Sequence, residues 1–131
     1  MTNYPELHRQ LEKGLGQLGQ EISLPMGGFA RLHKKALDDG VLSRKVKELM
    51  CLAISIAVGC EGCIAYHTHD AVAAGAEREE LLETIAVALM MGGGPAAIYS
   101  THALEAADQF LLEKTATLNL LTRGVESQLE R

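Results

Sequence analysis

The chain has 131 residues, with a hydrophobic content of 47% and an aromatic content of only 4%. This length predicts one domain spanning residues 1–131, whose aliphatic core suits packed helices. The formal net charge of −5 argues against nucleic acid as a partner, because no basic surface is available to neutralise phosphates. No apolar run reaches the roughly 18 residues of a membrane span and no signal peptide is recognisable, so no membrane partner is expected.

Helical periodicity predicts an all-α fold, a bundle of about six helices without strands. The predicted helices span about residues 4–20, 26–37, 44–58, 60–74, 77–91 and 96–121. Ser43 is a favoured N-cap for the third of them, and Gly59 ends or bends it. Residues 122–131 are polar and are expected to form a frayed tail, which leaves a core of about residues 22–121.

The third predicted helix is apolar on nearly every side and is therefore expected to be buried. Glu48 and Ser55 are its main polar residues, and they share one face because they lie seven positions apart. Cys51 on the same helix and the Met90-Met91 pair are expected in the core.

Three cysteines form an odd set without the spacing of a secreted disulfide framework. In a reducing compartment, a close cysteine pair is more often catalytic, redox-sensing or metal-binding than structural. We therefore expect a cytoplasmic protein in which Cys60 and Cys63 have a chemical role.

The fourth predicted helix presents Cys60, Cys63 and His67 on one face, because residues three and four positions apart lie side by side. Two thiols at this spacing can close a disulfide with little change in the backbone. The N–H groups at the helix start favour the thiolate of Cys60, whereas Cys63 adjoins His67. Glu48, on the preceding apolar helix, is suited to proton transfer near neutral pH.

These four groups are suited to the reduction of a hydroperoxide or a disulfide. A thiolate would attack the O–O bond, and the second thiol would resolve the resulting sulfenic acid to a disulfide. An external thiol reductant would then restore the dithiol. This chemistry requires no cofactor and no metal.

Other interpretations of the same residues stay open. Cys60, Cys63, His67 and Glu48 could bind zinc, although three of these ligands crowd one helix face. The cysteines could also be two small core residues, and Glu48 a carboxylate solvated near a helix end.

The neighbouring polar residues have less defined expectations. His69 is expected at the surface or in an interface, and Asp70 either orients His67 or is a solvated charge. The sequence leaves the position of His102 open.

The motif Glu-x11-Cys-x2-Cys-x3-His, followed by an Ala-rich helix that ends in Gly75, resembles the carboxymuconolactone decarboxylase / alkyl hydroperoxidase AhpD-like family. The resemblance extends over about residues 30–110 and is strongest from Leu42 to Gly75. It implies an AhpD-like helical bundle that assembles as a homotrimer or homohexamer.

The resemblance also implies roles for the individual residues. Cys63 would attack the peroxide, Cys60 would resolve it, and Glu48 and His67 would form a proton relay. The helix start instead favours Cys60 as the exposed thiol, so the order of attack stays open. AhpD proteins carry a His immediately before the second cysteine, where this chain has Gly62, which favours a more general disulfide reductase.

The leading functional hypothesis is therefore a thiol-dependent peroxidase or disulfide oxidoreductase. One alternative is a lyase of the decarboxylase type, although that branch of the family lacks the cysteine pair. The other alternative is a non-catalytic oligomeric module whose cysteines sense oxidation or bind zinc.

Overall fold

A computed structural model describes all residues from Met1 to Arg131 and contains six α-helices and no strand. This architecture confirms the predicted all-α class. The helices are α1 (Tyr4–Glu21), α2 (Ser23–Leu37), α3 (Arg44–Val58), α4 (Glu61–Ala73), α5 (Arg78–Gly92) and α6 (Gly94–Leu129). No helix combines the length and the apolar character that crossing a membrane would require.

Helices α3, α4, α5 and α6 enclose the core, which consists mainly of aliphatic and small side chains. Leu52, Ile56, Ile64 and Leu81 are fully buried there. Helix α1 packs across α4 and α6, so Tyr4 also becomes fully buried. Helix α2 is attached more loosely, because Leu37 is its only buried residue.

A capping serine and a glycine turn determine where α3 begins and ends. The Oγ atom of Ser43 accepts a hydrogen bond of 3.2 Å from the Val46 N–H, as the sequence predicts for an N-cap. Gly59 ends the helix with φ of 72° and ψ of 45°, a left-handed conformation that favours glycine. A Cβ atom at Gly59 would lie only 2.9 Å from Cε2 of Tyr99. The turn therefore brings the start of α4 close to α6.

The expectation that α3 is buried on all sides is wrong for the single chain. Val46, Met50, Ile54 and Val58 recur every four residues and are 39%, 49%, 61% and 70% exposed. This row of side chains, here called the α3 stripe, faces away from the core. Hydrophobic content alone cannot distinguish a core-facing side from an exposed one, which is why the sequence misassigned this face.

Two further expectations from the sequence also fail. The Met90-Met91 pair is not in the core, since these side chains are 71% and 73% exposed. The last helix does not end near residue 121, because α6 continues to Leu129. This last segment is exposed and contains good helix formers together with one interior glycine, Gly124. The sequence analysis considered its polarity and underestimated its helical propensity.

Candidate functional site

The two predicted site cysteines lie together at the start of α4. Cys60 is the N-cap, and its Sγ atom accepts a hydrogen bond of 3.2 Å from the Cys63 N–H. The two residues form a disulfide, with their Cα atoms 5.2 Å apart. Both are partly exposed. The first turn of α4 therefore presents a dithiol–disulfide pair that external thiols or oxidants can reach.

The predicted carboxylate and imidazole also meet. Nδ1 of His67 on α4 lies 2.8 Å from Oε2 of Glu48 on α3. Glu48 is fully buried, and the His67 side chain is 17% exposed. With Nδ1–H donating to the carboxylate, Nε2 of the ring is the atom left to exchange a proton. His67 lies one helical turn after Cys63, so thiol and imidazole share a face of α4.

The second oxygen of Glu48 has no hydrogen-bond partner. Its nearest cation is the Arg44 guanidinium, 3.9 Å from Oε1 and one turn earlier on α3. Fully buried carboxylates are seldom retained without a partner for each oxygen, and such exceptions often accompany chemistry. The sequence alternative of a solvated Glu48 is therefore wrong.

Cys51 lies beside this pair, although the sequence analysis placed it in the core. Its Sγ atom and the ligand atoms of Glu48 and His67 all lie within 4.8 Å of one another. Burial raises the pKa of the Cys51 thiol, and the nearby Glu48 carboxylate raises it further. Cys51 is therefore held in its protonated form and is less nucleophilic than an exposed thiol.

Asp70 does not orient His67. Its carboxylate lies 2.8 Å from Nδ1 of His69, the next ring along α4. His69 stacks on the buried His8 of α1 with ring centroids 3.8 Å apart and an interplanar angle of 23°. His69 therefore lies in a contact between α1 and α4, and its side chain is partly exposed there.

His8, His69 and Asp70 have ligand atoms within 4.8 Å of one another. The lone pairs of an imidazole lie in the plane of its ring, however, and the two stacked rings occupy nearly parallel planes. Their nitrogens therefore do not converge on one ion. This cluster is better described as a packing contact between α1 and α4.

A second carboxylate–imidazole pair includes a residue of the Cys-x-x-Cys motif itself. Glu61, the residue between Cys60 and Gly62, accepts a hydrogen bond of 2.5 Å from the Tyr4 hydroxyl. Its other oxygen lies 2.6 Å from Nδ1 of His102 on α6. Sequence reasoning missed this cluster, because its members lie 57 and 41 residues apart and no periodic pattern connects them.

No cavity of the chain is lined by Cys60, Cys63, Glu48 or His67. The disulfide therefore lies at the surface of the single chain and not at the bottom of an enclosed pocket. A small oxidant or the thiol of another molecule can approach it directly.

Fold and site together define an all-helical protein in which a Cys-x-x-Cys disulfide adjoins a buried carboxylate–imidazole pair. The model of the carboxymuconolactone decarboxylase family matches residues 26–108. The chain belongs to the carboxymuconolactone decarboxylase family.

Solved structures of relatives share the fold. A carboxymuconolactone decarboxylase family protein of Legionella pneumophila is 39% identical with a TM-score of 0.78, over 82% of this chain and 96% of that one. A family protein of Thermotoga maritima, for which involvement in an antioxidative response has been suggested, is 27% identical with a TM-score of 0.75. That similarity covers 82% of this chain and 95% of the Thermotoga protein.

A functionally described relative is similar over a shorter stretch. The alkyl hydroperoxide reductase AhpD of Nocardia farcinica is 40% identical over 60 residues, which are 46% of this chain but only 34% of that protein. The likeness to AhpD is therefore partial, and its activity is not transferred to this chain by similarity alone.

Proposed function

We propose that the protein is a thiol-dependent peroxidase or disulfide oxidoreductase that reduces hydroperoxides with Cys60 and Cys63. Glu48 and His67 serve as its proton relay. The observation that carries this proposal is the 2.8 Å contact between His67 and the buried Glu48 beside a disulfide-bonded Cys-x-x-Cys pair. The suggested antioxidative role of the Thermotoga relative and the partial likeness to AhpD support the same activity.

The first chemical step uses the dithiol form. His67 accepts the proton of Cys63, and the thiolate attacks one oxygen of the hydroperoxide. The O–O bond breaks, Cys63 becomes a sulfenic acid, and the imidazolium returns its proton to the departing alkoxide, which leaves as an alcohol. Glu48 holds the ring in position and stabilises its charged form.

The second step closes the observed disulfide. The Cys60 sulfur attacks the sulfenic sulfur of Cys63, and water leaves. An external dithiol then reduces the disulfide by exchange and is itself oxidised to a disulfide. The surface position of the disulfide supports such an exchange with a molecule larger than a peroxide.

The alternatives receive less support. A decarboxylase-type lyase would have no need for the cysteine pair. Zinc binding by Cys60 and Cys63 would require both as thiolates, and the disulfide removes them as ligands in the oxidised form. Metal content of the freshly reduced protein tests that alternative directly.

We further propose that the chain assembles as a homo-oligomer, a trimer or hexamer as the family resemblance implies. The α3 stripe supports this proposal, since four apolar side chains at regular spacing are exposed in the single chain. Contiguous apolar surface of this kind is typical of a protein–protein contact.

The deciding experiment measures the intact mass of reduced, metal-free protein before and after brief peroxide treatment, with free thiols alkylated and mapped. We expect Cys60 and Cys63 to pair rapidly while Cys51 remains alkylatable under denaturant. Cys63→Ser should abolish catalytic peroxide consumption. If Cys60 and Cys63 stay reduced, or over-oxidise without pairing, the proposed activity is wrong.

A further inference from the structure

The carboxylate of Glu61 joins three helices immediately beside the disulfide. It accepts a hydrogen bond of 2.5 Å from Tyr4 on α1 and lies 2.6 Å from Nδ1 of His102 on α6. Tyr4 is fully buried, and its own N–H donates to Oε1 of Gln109 at 2.8 Å. Both oxygens of Glu61 therefore have defined partners, which fixes its orientation on the first turn of α4.

The His102 ring is connected to the turn before Cys60 through its neighbour Tyr99. Tyr99, one turn before His102 on α6, packs against Gly59, the residue that precedes Cys60. The Tyr99 and His102 rings are 5.6 Å apart. Glu61 follows Cys60 directly in the chain. The carboxylate–imidazole pair is therefore tied to the Cys60 end of the motif, whereas the Glu48–His67 pair is tied to the Cys63 end.

We infer that Glu61 and His102 form a second proton relay, which serves Cys60 as Glu48 and His67 serve Cys63. This inference rests on the proposed thiol chemistry and extends it to the resolving step. Each sulfur of the motif then has its own imidazole, and each imidazole has a carboxylate on its Nδ1 atom. Tyr4 is a positioning residue, because it acts only through Glu61.

The resolving step then balances without an additional reactant. As the Cys60 sulfur attacks the sulfenic sulfur of Cys63, the His102 ring accepts the Cys60 proton and the S–O bond breaks. The hydroxide that leaves takes this proton back from the His102 imidazolium and departs as water. During reduction by an external dithiol, His102 accepts a proton from the attacking thiol and donates it to the Cys60 sulfur as the disulfide opens.

Tyr4 keeps its proton throughout this cycle. Burial raises the pKa of the Tyr4 hydroxyl, and its hydrogen bond to Glu61 raises it further, with Glu105 as the other nearby negative charge. The hydroxyl is therefore always a donor. This donation holds one oxygen of Glu61 and leaves the other for His102.

The test measures the alkylation rates of Cys60 and Cys63 separately, by peptide mass mapping of reduced protein treated with iodoacetamide over a range of pH. In His102→Gln, we expect the alkylation rate of Cys60 near neutral pH to fall about tenfold. This fall is equivalent to moving the midpoint of its pH–rate profile up by about one pH unit. Cys63 should change by less than about twofold in the same variant. His67→Gln should give the reverse pattern.

Two further variants separate a relay from a structural role. Asp108→Asn removes an exposed carboxylate from α6, the helix that carries His102, and should leave the alkylation rates of both thiols unchanged. In His102→Ala, imidazole added to the buffer should restore the Cys60 rate and leave Cys63 unaffected. The His102 side chain is 38% exposed, so the two His102 variants, His102→Gln and His102→Ala, should keep the fold. Circular dichroism verifies this.

The second relay is wrong if His102→Gln lowers the alkylation rates of both thiols equally, or if it leaves the rate of Cys60 unchanged. The measurement needs no peroxide and is therefore independent of the proposed peroxidase activity. If the variants show this split between the two thiols but the wild-type protein consumes no peroxide, the proposed function is wrong and the second relay still stands.

Discussion

Leu11 of α1 lies against Gly62, the residue immediately before the second site cysteine. A Cβ atom at Gly62 would be 3.4 Å from Cδ1 of Leu11 and 3.6 Å from Cδ2, which is ordinary van der Waals contact. A methyl group therefore fits at this position, whereas an imidazole ring would have to displace Leu11. The packing of α1 over the motif therefore leaves no space for a ring at position 62 unless Leu11 moves.

We expect Gly62→His to destabilise the fold by about 1–3 kcal/mol, because the ring overpacks the contact between α1 and α4. Gly62→Ala should be neutral or stabilise the fold by up to about 1 kcal/mol, since glycine is unfavourable within a helix. Urea denaturation followed by circular dichroism measures both. Leu11→Ala combined with Gly62→His should recover part of the loss, and failure to do so would contradict the assigned contact.

Gly59 makes a second prediction about stability. Alanine there would adopt a left-handed conformation that costs about 1–2 kcal/mol, and its Cβ atom would also clash with Tyr99. We expect Gly59→Ala to lose at least this much free energy of unfolding. Gly27→Ala is the matched control, because Gly27 lies within α2 with no atom within 4 Å of its added Cβ. If both variants behave alike, the turn does not have the role described.

The proposed relay predicts the effect of removing the Glu48 charge. In Glu48→Gln, the His67 ring loses the carboxylate that stabilises its protonated form. Peroxide consumption should fall by about 100-fold or more, within the range of general acid–base catalysis. The measurement is steady-state turnover with a saturating thiol reductant. Glu83→Gln, an exposed carboxylate on α5, should retain full activity.

His69 and Asp70 link stability to pH. Their hydrogen bond raises the pKa of His69, and although burial pushes the pKa of Asp70 up, His69 outweighs it and holds that pKa below its usual range. The His69 contribution is full below the unfolded value of about 6.5 and disappears as the pH rises through the folded pKa. The Asp70 contribution is full above about 3.9 and disappears as the pH falls through its lowered pKa.

Asp70→Asn should therefore cost most stability between about pH 4 and pH 6.5 and progressively less at higher pH. The loss should be about 1 kcal/mol or less, because the His69 side chain is 37% exposed and the interaction is screened by solvent. Thermal unfolding of both proteins across this range gives the difference curve. Asp108→Asn, at an exposed ion pair, should give a small and flat difference. A flat curve for Asp70→Asn would refute the linkage.

The α3 stripe predicts the assembly state. Ile54→Glu places a charge in the middle of the stripe and should shift the protein toward the monomer in size-exclusion chromatography with light scattering. The variant should keep its helical content, since Ile54 is 61% exposed in the single chain. Lys13→Glu on the polar side of α1 should leave the assembly unchanged. A wild-type protein that is already monomeric would remove the basis for this prediction.

Periodicity and capping residues were sufficient to predict about six helices, and the resemblance to the AhpD-like family implied the pairing of Glu48 with His67. In the structure both residues lie on helices that one glycine turn connects, so they are also close along the chain. The position of Cys51 beside them did not follow, because an apolar helix presents a thiol as one more core residue.

The Tyr4–Glu61–His102 cluster was beyond such reasoning. Its geometry depends on how α1 and α6 dock against α4, and docking is decided by packing over the whole chain. The exposure of the α3 stripe was missed for a related reason. A single sequence records that a face is apolar but not whether it packs within the chain or against another molecule.

The two carboxylate–imidazole pairs also differ in how much chain separates their members. Glu48 and His67 are 19 residues apart, whereas Glu61 lies 41 residues from His102 and 57 from Tyr4. Closing a short loop costs less chain entropy, and local contacts form faster during folding. The α3–α4 hairpin should therefore assemble its pair early, and the Glu61 contacts should appear only when the first and last helices have docked.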